Sequence, residues 1–140
     1  MAQNTNPIFV LSPKTAVARV SAENTDSSGA TGALVTLFTA GTNGSLITQI
    51  KVTNAQIVAA ASSAMVFRVF VTDSAGLNPT LHTEVALPAA TRTVAAIGAT
   101  VTISLLSGLL LEAGQIVKVA QSVFAGAQDL NAVTAIGGDY

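Results

Sequence analysis

Short runs of alternating apolar and polar residues, each bounded by turn-forming residues, limit the fold of this chain more than any other feature. The clearest run, MVFRVFVTD at 65–73, carries apolar residues on both faces of an extended strand. That pattern is typical of a strand covered on both sides, by a second sheet and by another chain or loop. Phe70, on the second face, is therefore a candidate interface residue.

About eight such runs follow one another with turn signals at regular spacing, and none shows a convincing helical period. This predicts an all-β, single-domain, two-sheet β-sandwich that is jelly-roll-like and has about eight short strands. The residues predicted as strands are Thr15–Ala22, 33–40, 46–53, 65–73, 81–87, 99–106, 116–124 and 132–136.

The turn residues predict which strands pair with each other. In GTNG, 41–44, the Asn43-Gly44 pair suits the positive φ of a tight connection, which predicts a hairpin joining 33–40 to the strand that follows. In that strand Leu46, Ile50 and Val52 are predicted to share one face. SAGLNP, 74–79, is predicted to turn the 65–73 strand back onto a partner at 81–87.

The N-terminus has a different character from the rest of the chain. Pro7 and Pro13 bias their neighbours toward extended backbone, so residues 1–14 are predicted to form an extended arm and residues 15–140 the β-sandwich domain. The arm has a hydrophobic middle that needs a surface to lie on, although a core role is the open alternative. The arm and the last residue of the sequence contain the candidate residues for contacts with other molecules. These residues are Ile8, Phe9, Val10, Leu11 and Tyr140.

Charge is scarce in this sequence. Six basic and seven acidic residues make up 9% of the chain, where an ordinary soluble domain has about 25%. A surface so poor in charge repels its own copies only weakly. The basic residues occur singly, which disfavours nucleic acid as a partner. The longest apolar run is far below the roughly 20 residues that span a bilayer, so no membrane segment is expected.

Catalytic and ligand-binding residues are equally scarce. The single histidine, His82, lies two residues before Glu84 on one strand face, but no nucleophile motif accompanies the pair. There is no cysteine, no nucleotide-binding motif and no tryptophan for stacking a sugar. We therefore expect no enzymatic activity, no cofactor and no small-molecule substrate. Calcium bound by loop oxygens, at 73–78 or at Asp26, is the alternative that the sequence leaves open.

Four segments resemble a family of small virion structural proteins of tailed bacteriophages. They are FTAGTNGSLITQI at 38–50, FRVFV at 67–71, LHTEVALP at 81–88 and VTAIGGDY at 133–140. The resemblance covers the chain from about Asn24 to its end. The segment 54–64 is richer in alanine than the family pattern, and the N-terminal arm has no counterpart in it.

The resemblance implies a non-enzymatic particle component, in the first place a capsid cement or decoration protein. Proteins of that kind are β-sandwiches that assemble as homotrimers on the capsid exterior, after synthesis in the host cytoplasm. The implied partners are the major capsid protein and further copies of the chain. The alternative is a neck, tail or head-fibre component that contacts a host surface through the loops 23–32 and 74–79.

Overall fold

A computed structural model describes residues 12–56 and 59–140, and these residues contain eight β-strands and one short 3-10 helix. The helix, Ala127–Asp129, directly precedes the last strand. The strands are β1 (Ser12–Val20), β2 (Val35–Thr39), β3 (Ser45–Asn54), β4 (Met65–Thr72), β5 (Thr80–Leu87), β6 (Thr100–Leu111), β7 (Ile116–Gln121) and β8 (Asn131–Asp139).

The strands pair in a nested order. Strand β1 pairs antiparallel with β8, β2 with β7, β3 with β6 and β4 with β5. Further pairing of β3 with β8 and of β4 with β7 produces sheet A, ordered β1-β8-β3-β6, and sheet B, ordered β2-β7-β4-β5. A long antiparallel hairpin rolled into two sheets in this way is the jelly-roll form of the β-sandwich. The predicted fold class is confirmed.

The two predicted turns differ in what they connect. The turn 74–79 joins β4 to β5, which pair as expected. The turn 41–44 does adopt the tight geometry, with Gly44 at φ 88° and its N–H donating to the Gly41 carbonyl over 3.1 Å. However, it carries the chain from β2 in sheet B to β3 in sheet A. The predicted hairpin is therefore wrong, because each of these strands finds its partner later in the chain.

A β-bulge corrects the predicted faces of β3. The register of β3 shifts between Ile47 and Gln49 against both of its neighbours, so Thr48 is an extra residue. The shift reverses the alternation, and Ile47 joins Ile50 in the core while Leu46 faces outward and is half-buried. Leu46 was predicted on the core face because strict alternation cannot anticipate a bulge.

Several predicted boundaries also move. Strand β1 begins at Ser12, three residues before the predicted strand start at Thr15, and it pairs with β8 from that point. Strand β8 extends to Asp139, so most of the terminal GGDY segment is strand rather than tail. Strand β6 runs on to Leu111, well past the predicted end at 106.

The core lies between the two sheets and is built from the inward residues of both. Phe38 and Phe67 are almost fully buried, and burial of such a side chain contributes about 1.5–3 kcal/mol. On β1, Ala16 and Ala18 pack inward and Val17 faces outward, as the alternation predicts. Each sheet therefore buries one face in this core. The two sheets differ in what covers their outer faces.

Candidate functional site

The outer face of sheet B is covered by the chain itself. The β1–β2 loop, residues 21–34, crosses this face and is tied to it where Arg68 Nη1 donates to the Asn24 carbonyl over 3.1 Å. Further along, Gly29 lies so near Phe70 that a Cβ at this position would come within 2.8 Å of the ring. The loop therefore occupies the space that a partner would need on this sheet.

Phe70 is fully buried beneath that loop. Its side chain is 0% exposed and faces Gly29, which also lies close to Pro79. Of the two covers that the sequence allowed for β4, another chain or a loop, the structure provides the loop. Phe70 thus offers no accessible surface to a partner in this conformation.

The β1–β2 loop is held in shape by Asp26. Its carboxylate accepts hydrogen bonds from the backbone and side chain of Ser28 and of Thr31, over 2.7–2.8 Å. These bonds favour the ionised form, the side-chain bond from Ser28 most, and they hold the pKa of Asp26 well below its usual range. A polar loop with few apolar residues is in this way kept rigid over sheet B.

Two further carboxylates have a lowered pKa. In the β4–β5 turn, the Leu77 N–H bond to Asp73 is the main cause, and at the end of β8 the main cause is the Ser45 hydroxyl bond to Asp139. For all three aspartates the pKa in the folded state lies below the ordinary value of 3.8. Their contribution to stability is therefore present above that pH and is lost as the pH falls further.

We expect the thermal unfolding midpoint to be flat between about pH 7 and 5 and to fall below about pH 4. The double variant Asp26→Asn/Asp73→Asn is expected to show a shallower acid decline than the wild type, because it lacks two of the shifted groups. Calorimetry across the pH range measures both curves. Parallel curves for the two proteins would contradict the assignment.

The outer face of sheet A is bare in the described structure. Twelve outward side chains form three rows across its four strands, and none of them is buried. We call these residues the sheet A face. In the order β1, β8, β3, β6 the rows are Thr15, Ile136, Gln49, Ser104; Val17, Thr134, Lys51, Thr102; and Arg19, Ala132, Thr53, Thr100.

The composition of the sheet A face is unusual for a surface exposed to water. Half of its twelve residues are threonine or serine, Val17 and Ile136 are exposed by 68% and 43%, and no carboxylate is present. Its only charges are Arg19 and Lys51. Short side chains on a sheet give a low-relief surface, and a scarcity of charged residues is typical of the centre of a protein interface.

The unpaired cations gather on this side of the molecule. Lys14, Arg68 and Lys118 each bond to another group of the chain. Within residues 12–56 and 59–140, the other three basic residues have no hydrogen-bond or ion-pair partner. Two of these lie on the sheet A face and the third lies beside it: Arg19, Lys51 and Arg92.

Lys51 and Arg92 line one groove of about 390 Å³ at the β6 side of the sheet A face. Ile97 forms an apolar wall and is 89% exposed, while Thr100 Oγ1 donates to Thr53 Oγ1 over 3.4 Å at the base. The groove combines two free cations, hydroxyl groups and one exposed apolar side chain.

A second hollow, of about 780 Å³, lies between the β1–β2 loop and the β4–β5 turn. These are the two loops predicted to carry binding residues in a host-contacting protein, and the structure does place them side by side. Lys118 lies in this hollow and donates to the Gly76 carbonyl over 2.8 Å. Most of the lining residues are small or apolar, and Ser28, Asn78 and Lys118 add polar groups to the hollow.

The candidate acids are accounted for by local contacts, and the histidine is exposed. Both carboxylate oxygens of Asp73 accept hydrogen bonds from its own turn, which explains the acid without calcium. Glu84 accepts from Arg68 Nε over 2.7 Å, while His82 is exposed at a register shift of β5. In the described part of the chain, no three His, Cys, Asp or Glu side chains come together to hold a metal ion.

Of the predicted terminal contacts, the structure describes one. Tyr140 is half-buried beside the 41–44 turn, where its N–H donates to the Gly44 carbonyl over 3.2 Å and its own carbonyl accepts from Asn43. Its partner in the fold is thus the chain itself. Ile8, Phe9, Val10 and Leu11 lie outside the described residues.

Sequence reasoning missed the sheet A face. The alternation of β1 and β3 does place Arg19 and Lys51 outward, so a signal for each residue existed. What the sequence lacked was the strand order, which puts only β8 between these two strands. Arg92 lies in an irregular connection, and no periodicity indicates which sheet it approaches.

Comparison with known proteins adds nothing to this geometry: no protein-family model, curated protein or solved structure matches the chain. Among the described residues, no helix is long and apolar enough to cross a membrane. The functional argument therefore depends on the residues of the chain itself.

Proposed function

We propose that this chain is a non-enzymatic structural protein of a tailed-bacteriophage particle, a cement or decoration protein that binds the exterior of the major capsid shell. The observation that carries the proposal is the sheet A face, which is rich in hydroxyl groups, contains no carboxylate among its twelve residues and is uncovered within residues 12–56 and 59–140. The family resemblance indicates the kind of particle, and the sheet A face is the surface by which the chain would bind to it.

The size of the face is suitable for the centre of an interface. Four strands at about 4.8 Å and five residues at about 3.4 Å give a patch of roughly 300 Å² in projection. A stable interface buries about 800 Å² on each partner, so surrounding residues have to contribute. Val94, Ile97 and Leu110 are exposed large apolar side chains near the groove and at the β6 edge, and they can extend the contact.

The low charge of the chain supports the same role. A shell repeats each contact many times, so modest affinity at each site is sufficient for stable coverage. Side chains such as threonine and valine lose little rotamer entropy when they are covered, in contrast to lysine or glutamate. Burying a charge-poor surface against a protein lattice therefore costs little side-chain entropy.

Co-sedimentation tests the proposal. Purified chain is mixed at micromolar concentration with phage shells that lack it, and the shells are pelleted. We expect the chain to pellet with the shells and to saturate at a fixed ratio. A chain that stays in the supernatant at this concentration contradicts cement function.

A neck, tail or head-fibre component is the second candidate, and the paired loops around the 780 Å³ hollow favour it. In that case the loops would contact a host surface and the particle would carry the chain at one vertex. Electron microscopy of particles with gold-labelled chain separates the two candidates. Label over the whole shell supports cement function, and label at a single vertex supports the alternative.

Self-association as a homotrimer is part of the proposal. A trimer would present three sheet A faces to the shell, which multiplies a weak contact. Light scattering on the purified chain measures the mass directly. A mass of three chains is expected, and a mass of one chain at high concentration contradicts the trimer.

A further inference from the structure

We propose that the groove beside the sheet A face binds an acidic segment of a partner protein, with carboxylates placed against Lys51 and Arg92. The inference rests on the proposed function insofar as that partner belongs to the capsid shell. It specifies the chemistry of the partner surface, which neither the fold nor the resemblance provides.

Charge is distributed unevenly over the described structure. Three basic residues without a partner lie on one side of the described structure, and the twelve residues of the sheet A face include no carboxylate. The register places Arg19 and Lys51 about 12 Å apart, two strands and one row from each other. Exposed charges at that spacing are largely screened from each other by salt, and both remain available to negative groups of a partner.

The negative groups of the chain are engaged elsewhere. Asp26 and Asp73 lie in the loops on the sheet B side, where their oxygens accept hydrogen bonds from their own loops. Glu84 is bonded to Arg68, and Asp139 to Lys14 and Ser45. A second copy of the chain therefore has few free carboxylates to place in the groove, which favours a different protein.

The groove differs from a nucleic-acid interface in its charge and in its apolar surface. A nucleic-acid interface is strongly positive and polar, and its affinity comes from many phosphate contacts. Here the cations are few, and Ile97 forms an exposed apolar wall of the same groove. Val94, at the tip of the same connection, is fully exposed as well. An acidic peptide segment with an apolar side chain matches both features.

The test uses a charge-neutralised variant and a matched control. Lys51→Gln/Arg92→Gln removes the two groove cations. Ala30→Glu/Ala113→Glu changes the net charge by the same amount at two exposed turn positions away from the face. Thermal unfolding of both variants confirms that they are folded before binding is measured.

The first measurement is NMR titration of the isotope-labelled chain with poly-glutamate and, separately, with oligothymidylate. We expect poly-glutamate to shift the amides of Lys51, Thr53, Arg92 and Thr100. Affinity should fall about tenfold in Lys51→Gln/Arg92→Gln and stay unchanged in the control. No shift at these amides overturns the inference, as does equal or tighter binding of oligothymidylate there. Shifts at the same amides on concentration of the free chain would assign the groove to a second copy and overturn it too.

The second measurement repeats the shell co-sedimentation with both variants. Loss of binding only in Lys51→Gln/Arg92→Gln supports the inference. If both variants bind as the wild type does, the inference fails and the proposed function stands. If the wild type itself fails to bind shells, the proposed function fails, and the poly-glutamate titration still decides the chemistry of the groove.

Discussion

Gly137→Ala is expected to lower the free energy of unfolding by about 3 kcal/mol, at the upper end of what overpacking usually costs. A Cβ at this position would meet the backbone of β3, with the Leu46 carbonyl oxygen and Ile47 Cα both closer than van der Waals contact allows. Main-chain atoms of a central strand cannot move aside as a flexible side chain can. The bulge at Thr48 creates this close approach between β3 and β8.

Chemical denaturation with urea measures the effect, and Ile136→Ala is the control. Ile136 is the adjacent residue on β8 and is 43% exposed, so its truncation should change stability by less than about 1 kcal/mol. If Gly137→Ala is as stable as the wild type, then β8 does not approach β3 as closely as described. Strand propensity alone would favour alanine over glycine, so a similar loss in both variants would indicate that β8 tolerates substitution poorly in general, and it would count against a contact specific to Gly137.

Asp129→Ala is expected to lower the free energy of unfolding by about 3 kcal/mol as well, for a different reason. The carboxylate is completely buried and accepts from the Ser63 N–H over 2.6 Å, the Ser63 hydroxyl over 3.0 Å and the Ala125 N–H over 2.8 Å. Its removal leaves three donors without their acceptor and separates the loop before β4 from the loop after β7.

Glu112→Ala is the control for this prediction, because Glu112 lies exposed in the β6–β7 turn. That variant should remain within about 0.5 kcal/mol of the wild type. Asp129→Asn, which keeps one acceptor oxygen, is expected to fall between the two. A stability of Asp129→Ala equal to that of Glu112→Ala would show that water replaces the carboxylate without loss.

Local pattern was enough to predict the strands and the fold class, since alternation is set by each strand alone. It correctly placed Ala16 and Ala18 on one strand face, opposite Val17, and paired β4 with β5. It failed where a distant segment decides the outcome. Leu46 was misplaced because the bulge at Thr48 depends on the register with β6 and β8, and the 41–44 turn was misassigned because β2 pairs with β7.

The candidate site was harder to predict, because it depends on strand order and on which surface the loops cover. Phe70 looked like an interface residue, and nothing local indicates that Gly29 would pack over it. Gly137 lies beyond the predicted end of the last strand at 136, although the structure places it in a paired strand. Nothing in the local sequence around Asp129 indicates its role, and only the fold shows that it joins two loops from within.

The nested pairing of the strands has a consequence for biosynthesis. Only β4 and β5 meet through a short connection, whereas β1 must wait for β8, which is the last strand to leave the ribosome. Contacts this distant in sequence close slowly, because the loop entropy is lost before the contacts form. Since β8 lies between β1 and β3, the sheet A face forms only after all eight strands have been synthesised. A nascent chain that lacks β8 therefore does not present the sheet A face.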